Sequence, residues 1–331
     1  MTTILFLADP PERQREMLAC RLGRRSGVRL LFRGTASDRE ILDLAAEADI
    51  LVGGRPDAEI LRSAERAILF LHTHAGADHL IDLFRQTGRK RPLPLATTHG
   101  NAEAVAQHAV ALLLTLANRI VVEHNRVVSG AGRFTAPGAS STPLHGRRIG
   151  LLGWGAVSRR VYRMLTGWDV EISILRRAWD GADPPAGVRP FTPSGLEEFL
   201  RQADVLIAAV PLTASTRGLV GSRELRLLGP EGLLINVGRG PVIDQAALYT
   251  ALKEKWIAGA AIDVWYTGLS GIRDALYDHP FHELENVVLS PYRAGAMADD
   301  GPLWDEVAKS LDKVVSEGVG AIQVVDLERG Y

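Results

Sequence analysis

The residues from Arg148 to Ser158 form a short apolar run that enters a glycine turn, Gly153-Trp154-Gly155, and then a helix reaching Leu165. In that setting a G-x-G-x-x-G pattern grips a pyrophosphate. Gly153 permits the tight turn, and Gly155 lets phosphate oxygens approach the backbone N–H groups at the helix start, where Ala156 and Val157 lie. The third glycine is replaced by Ser158, small enough to shift the helix slightly without closing the site. Taken alone, the pattern serves a plain βα turn equally well. The next apolar run ends in Arg176-Arg177, where an NAD site would place a carboxylate for the ribose hydroxyls. Two guanidinium groups suit a 2′-phosphate instead, so the expected cofactor is NADPH, with NADH disfavoured; the alternative is a pair of arginines solvating a strand end.

Other reactive side chains are weaker signals. His72, His74, His79, His99 and His108 invite a metal reading, but His72 and His74 share a face only if their strand persists that far, and no metal is expected. His74 or His99 facing a cleft could instead supply a proton. Cys20 is the one cysteine, so neither an intramolecular disulfide nor a multi-thiolate site can form, and a reducing cytoplasm fits. Its amphipathic helix suggests a packing role.

These residues need a frame. Apolar runs at 4–7, 29–32, 50–52, 67–72 and 93–96 alternate with helical segments at 13–24 and 39–47, which predicts a parallel sheet covered on both faces. Residues 101–128 read as one long helix, apolar enough to be buried between layers or at a subunit interface, broken by a Gly/Ser/Pro-rich stretch at 129–143. Strand candidates at 149–152, 170–175, 205–209, 233–236, 260–262 and 287–289 then predict a six-stranded, doubly wound domain, followed by a helix over 301–317. The fold class is therefore α/β, with two Rossmann-like or flavodoxin-like parallel-sheet domains. The 331 residues carry 38 Lys+Arg against 39 Asp+Glu, a net charge of -1, with no long block of like charge. That balance gives no reason to expect nucleic acid or a membrane surface as partner, and a small anion or a second copy of the chain is expected. No basic leader and no apolar run long enough to span lipid is seen, so neither export nor insertion is expected.

Nearly the whole chain resembles the D-isomer-specific 2-hydroxyacid dehydrogenases. The resemblance rests on 144–153, on Ala203-Asp204-Val205 through Pro211 to Thr216, on 235–244 around Arg239, on 259–264, and on 75–80 and 101–106. It implies a discontinuous substrate domain, residues 1–100 and 296–331, a nucleotide-binding domain at 101–295, an active site in the cleft, and a homodimer built partly on the long helix. It also implies that Arg239 grips the substrate carboxylate and carbonyl, and that His74, Ala75 and Gly76 bind the carboxylate through their backbone. Asn101 matches a substrate-side position. Val210, Pro211, Thr216, Val237, Gly238, Asp263 and Gly295 match positions along the cofactor, Asp263 at the nicotinamide carboxamide. Arg55, after Gly53-Gly54, would with Arg239 and Arg293 suit a second anionic group, or be merely an exposed arginine.

Two departures stand out. Where the family has its glutamate this chain has Gly268, and where it has the acid/base histidine this chain has Tyr292. The losses are linked, because the glutamate serves to hold the imidazolium. Trp265 and Tyr266 are candidates to fill the vacated space. A phenol, protonated at neutral pH, can donate to a carbonyl oxygen, so the expected reaction is reduction of a small 2-oxo acid with Tyr292 as donor. The alternative is repurposed chemistry, or a cofactor-binding protein without turnover.

Overall fold

The computed structural model describes residues 1–23, 27–130, 140–181, 183–266 and 277–331. The chain divides into two compact units, Met1–Asn101 with Met297–Tyr331, and Ala102–Ala296.

In the first unit five short strands alternate with helices: β1 (Thr2–Phe6), α1 (Glu12–Leu22), β2 (Val28–Phe32), α2 (Asp38–Glu47), β3 (Ile50–Val52), α3 (Ala58–Ser63), β4 (Leu69–His72), α4 (Ile81–Gln86) and β5 (Leu95–Thr97). All pairings are parallel, in the order β2-β1-β3-β4-β5. This is the flavodoxin-like arrangement. The inner strands are near-continuous apolar runs because helices cover both faces: Leu5, Leu51 and Phe70 pack to one side, Ile4, Phe6 and Leu71 to the other. The C-terminal helix, Gly301–Glu317, packs Trp304, Val307 and Leu311 into the second of these clusters. Cys20 lies on the solvent side of α1, whose buried residues are Gln14, Leu18 and Leu22, so the expected packing role is not met.

The second unit begins with α5 (Ala102–Ala117) and α6 (Ile120–Val128). The single long helix expected here is two helices bent by 61°, because Arg119 between them adopts the left-handed conformation at φ 54°. A left-handed residue terminates a helix, and here it does so without glycine or proline to announce it. The α5 helix is buried as expected, whereas α6 buries no residue. Among the described residues no single helix is long and apolar enough to cross a membrane.

Then follow β6 (Arg148–Leu152), α7 (Ala156–Leu165), β7 (Glu171–Leu175), β8 (Arg189–Phe191), α8 (Leu196–Gln202), β9 (Val205–Ala208), α9 (Ser222–Leu228), β10 (Leu233–Asn236), α10 (Gln245–Lys253), β11 (Gly259–Ile262) and β12 (Val287–Leu289). The parallel sheet has seven strands, not six, in the order β12-β11-β10-β9-β6-β7-β8. The added strand is three residues long and contains Pro190, tolerated because β8 is an edge. Strand order reverses between β6 and β9. In open α/β sheets that switch point, at the carboxyl ends, is where ligands bind. Gly150 in β6 lets α8 approach, since a Cβ there would meet Phe199 Cζ at 2.9 Å.

Candidate functional site

The turn after β6 is shaped to lie close to its neighbours. Gly153 has φ +100°, and a Cβ on it would lie 2.8 Å from Val210 Cγ1 and 3.0 Å from the Ala209 carbonyl oxygen, so the residue must be glycine on both counts. The next strand end closes in from the other side, where a Cβ on Gly238 would stand 2.8 Å from the Val210 carbonyl oxygen. Gly153, Val210 and Gly238 thus meet at the switch point. Gly155 caps α7 with no side-chain bond, and a Cβ on it would meet nothing within 4 Å. The first N–H groups of the helix, those of Ala156 and Val157 among them, receive no side-chain cap, which is what an anion at a helix start requires. Ser158 is buried, and its hydroxyl has no hydrogen-bond partner in the structure.

At the end of β7 the Arg176 N–H donates to the Phe191 carbonyl, and its guanidinium lies 5.1 Å from the Trp179 ring centre. Trp179 is pinned in turn by Nε1, which donates to the same carbonyl at 3.0 Å. Arg177 is exposed. Trp179, Phe191, Thr192 and Glu198 border a groove of about 510 Å³, which does not include the glycine turn. The loop after β9 is closed by Thr216, whose hydroxyl donates to the Pro211 carbonyl at 2.6 Å and accepts from the Thr213 N–H at 2.8 Å. That hydroxyl is engaged within its own loop.

The loop after β10 carries Arg239. Asn236 is fully buried: its Oδ1 accepts from the Gly238 N–H and its Nδ2 donates to the Arg239 carbonyl, both at 3.1 Å. This side chain holds the arginine loop in shape, a role that sequence reading left unassigned although an asparagine ending a buried strand was its signal. Arg239 is half-buried, with Nη1 donating to the Gly238 carbonyl at 2.9 Å. Gly240 then presses on the next strand end, where a Cβ would lie 2.2 Å from the Trp265 carbonyl oxygen.

Asp263, after β11, is buried and heavily bonded. Oδ1 accepts from Ser290 Oγ at 2.6 Å and from the Arg293 N–H at 2.7 Å, while Oδ2 accepts from the Ala294 N–H at 3.0 Å. His108 on α5 reaches the same group, with Nε2 2.9 Å from Ser290 Oγ. The carboxylate expected at the nicotinamide carboxamide is therefore also the brace of the 290–294 turn.

Tyr292 sits in that turn with φ 54°, its N–H donating to the Asp263 carbonyl at 2.9 Å. Its hydroxyl reaches the backbone of Trp265. The phenol oxygen accepts from the Trp265 N–H at 3.1 Å and its proton goes to the Trp265 carbonyl at 3.3 Å. In this arrangement the hydroxyl, expected as a proton donor, ties two strand ends together. Trp265 is buried and bonded through Nε1 to the Ser290 carbonyl at 2.9 Å. Gly268, where the family glutamate would stand, lies outside the described residues. Tyr266 has a buried hydroxyl with no hydrogen bond among the described residues; burial first, then the Asp244 carboxylate, pushes its pKa well above the usual phenol value.

The first unit brings its own candidates to the carboxyl end of its sheet. Thr98 Oγ1 donates to the Thr73 carbonyl at 2.6 Å, joining the loop that carries His74, Ala75 and Gly76 to the one leading to Asn101. A Cβ on Gly53 would lie 3.2 Å from Thr73 Cγ2, so the turn leading to the exposed Arg55 adjoins them. The His72 ring centre lies 5.8 Å from that of His74 and 5.4 Å from that of His79. Burial and then the neighbouring His79 lower the His74 pKa. No group of three or more His, Cys, Asp or Glu among the described residues is placed to hold a metal ion.

A doubly wound sheet with a glycine turn at its switch point, in one chain with a flavodoxin-like unit, is the architecture of the two-domain nucleotide-dependent dehydrogenases. Residues 110–294 match the family model for the NAD binding domain of the D-isomer specific 2-hydroxyacid dehydrogenases. The glyoxylate reductase of Pyrococcus furiosus is 32% identical over 270 residues, covering 78% of this chain and 76% of that protein. An NADPH-dependent glyoxylate/hydroxypyruvate reductase of Sinorhizobium meliloti, solved with NADP and malonate, superposes with a TM-score of 0.70 at 26% identity, covering 99% of this chain and 98% of the other. An acyclic imino acid reductase, Bsp5, solved with NADPH and D-Arg, shares the fold at a TM-score of 0.76 and 19% identity, covering 98% of this chain and 100% of the other. The chain belongs to the D-isomer-specific 2-hydroxyacid dehydrogenase family, and is an oxidoreductase with a nicotinamide-binding domain.

Proposed function

We propose that this protein is a cytoplasmic, homodimeric, NADPH-dependent reductase acting on a small 2-oxo acid. The observation that carries the reading is the Arg239 loop, held by Asn236 at the end of β10 and packed beside the Gly153 cradle through Gly238 and Val210. The cradle fits a dinucleotide because no side chain could occupy Gly153, and because the start of α7 is left without a side-chain cap. The pyrophosphate falls to Gly155, Ala156 and Val157, and a 2′-phosphate to Arg176 and Arg177. Val210, Pro211, Thr216, Val237, Gly238, Asp263 and Gly295 line the remainder. When bound, NADPH supplies the hydride.

The chain's own residues do the rest. Arg239 is a planar fork of N–H donors, which suits a carboxylate, and its Nη1 also donates to the Gly238 carbonyl. His74, Ala75, Gly76 and Arg55, on the substrate domain of residues 1–100 and 296–331, are assigned to the substrate together with Asn101, the first residue of the cofactor domain 101–295. In the ketone reading, Tyr292 protonates the nascent alkoxide, exchanging the Trp265 carbonyl for the substrate oxygen. The homodimer reading draws on α6, which buries nothing and leaves Ile120, Val127 and Val128 exposed. The relatives named above act on glyoxylate or hydroxypyruvate, and one protein of the same fold acts on imino acids, so both C=O and C=N are open to reduction on this scaffold.

Fluorescence titration with NADPH and NADH, followed by cofactor consumption across small 2-oxo acids, tests the reading. Tighter NADPH binding with turnover of at least one acid is expected. A second reading, a cofactor-binding protein without turnover, is favoured by the engagement of Tyr292 with Trp265, and tight binding without consumption would establish it.

A further inference from the structure

Three side chains of the second unit, His108, Ser290 and Asp263, form a hydrogen-bonded chain. His108 Nε2 lies 2.9 Å from Ser290 Oγ, Ser290 Oγ lies 2.6 Å from Asp263 Oδ1, and His108 Nε2 is 3.5 Å from that same carboxylate oxygen. Ser290 and Asp263 are buried, and His108, on α5, is half-buried. The protons along this chain can be assigned. Both Asp263 oxygens accept, from Ser290, Arg293 and Ala294, as those of a carboxylate do, and the single Ser290 proton goes to it. The Ser290 oxygen then accepts from Nε2. One imidazole proton is therefore fixed at Nε2, and a second, which makes the ring a cation, enters at Nδ1.

The surrounding charges leave Asp263 as the partner of this ring. The strands β10, β11 and β12, which share a core with α5, carry no ionisable side chain. Beyond them, Arg239 donates to the Gly238 carbonyl, Asp244 caps α10, Tyr266 lies near Asp244, Tyr292 bonds the Trp265 backbone, and the Arg293 side chain is exposed. On the helices, Glu103 pairs with Arg160 and Arg163, Glu123 with Arg119 and Arg126, Arg159 and Tyr162 rest against Trp154, and His124 is exposed.

We propose that His108 sets which redox form of the nicotinamide cofactor the site prefers, by setting the net charge of the Asp263 cluster. This rests on the proposed reading that puts the nicotinamide beside Asp263. With a neutral imidazole the cluster carries one negative charge, which attracts the cationic ring of the oxidised form, NADP. With a protonated imidazole 3.5 Å away that charge is cancelled. The cation then loses its attraction, while the neutral ring of NADPH loses none. NADP and the Nδ1 proton thus compete, and because linkage is reciprocal, NADP makes His108 harder to protonate than NADPH does. For a reductase, the spent cofactor is the one loosened as pH falls.

The test measures the dissociation constants of NADP and NADPH on the full chain by calorimetry from about pH 5 to 8, where imidazoles change charge. NMR follows the His108 ring in both complexes. The 2′-phosphate is common to the two forms, so its own ionisation cancels in their ratio. The NADP-to-NADPH ratio of dissociation constants is expected to fall about three- to tenfold as pH rises, the size of one partly screened charge interaction. His108 should titrate at lower pH with NADP than with NADPH. His108→Gln keeps an N–H donor for Ser290 but cannot become charged, so its ratio should be flat with pH. A ratio indifferent to pH in the parent, or one that changes equally in His108→Gln, overturns the inference and leaves the cofactor site standing. Identical His108 titrations in the two complexes overturn it as well, without recourse to any variant. Failure to bind either cofactor at any pH overturns both the inference and the reading beneath it.

Discussion

The carboxyl edge of the second unit is built in two contrasting halves. After β6 and β7 the polar groups are presented outward: α7 begins without a side-chain cap, and Arg176 rests its guanidinium on Trp179. After β10, β11 and β12 they are tied to one another: Asn236 to both sides of Arg239, Asp263 to Ser290 and two backbone N–H groups, Tyr292 to Trp265. The first half is arranged for a guest to complete its hydrogen bonds, as phosphate recognition requires. The second is set before anything binds, as the reacting end of an enzyme must be if no reorganisation is to accompany the chemistry. A residue's effect on removal should therefore depend on which half it occupies.

Arg239 is the sharpest test of the preset half. Arg239→Ala is expected to lower kcat/KM by about 10³ or more, since under the proposed function it removes a charge-assisted fork from the substrate carboxylate. Arg239→Lys should recover little, because a point charge lacks the fork. NADPH affinity by fluorescence titration should stay within a few-fold. An undiminished kcat/KM in Arg239→Ala would take the substrate away from this loop.

In the open half, Arg176→Asp is expected to raise the NADPH dissociation constant by about 10- to 100-fold, the loss of one or two charged hydrogen bonds, while NADH binds no worse. Equal losses for both cofactors would place Arg176 outside the 2′-phosphate site. Asn236→Ala should act differently from either. It leaves the Gly238 N–H and the Arg239 carbonyl without their partner, a cost of about 1–3 kcal/mol in unfolding free energy, and kcat/KM should fall alongside. Urea denaturation followed in parallel with turnover checks whether stability and activity move together.

Much of this frame was legible beforehand because buried parallel strands are written as apolar runs: β10 and β12 fall on the expected residues, and the C-terminal helix on 301–317. The glycine turn was legible because Gly153 answers a steric demand that no other residue meets. What escaped was set by tertiary context. β8 is short, carries a proline, and exists as a strand only because β7 offers it an edge. The break at Arg119 has no glycine or proline. Tyr292 was visible as a substitution, but its φ of 54°, its N–H bond to the Asp263 carbonyl and its hydroxyl contacts with the Trp265 backbone are tertiary features that no local pattern announces. Sequence could thus propose the candidate residues, while the direction in which one of them offers its proton is seen only in the fold.

Tyr266 gives the smallest expected effect and the cleanest pH signature. Its hydroxyl is buried without a hydrogen bond among the described residues, so Tyr266→Phe removes an unsatisfied polar group and should raise the unfolding free energy by up to about 1 kcal/mol at neutral pH. Burial, followed by the Asp244 carboxylate, raises the folded-state pKa above the value of about 10 that the unfolded chain has. Between those values the folded state keeps its proton while the unfolded state releases it. The contribution is therefore complete below pH ~10 and declines as pH rises above it, and the phenylalanine variant, having nothing to ionise, should lose less stability on the alkaline side. Urea denaturation at neutral pH and at several alkaline values measures both. A variant whose alkaline stability falls in parallel with the parent would mean that this phenol ionises as readily folded as unfolded, and that the region around it is as open as the α7 start.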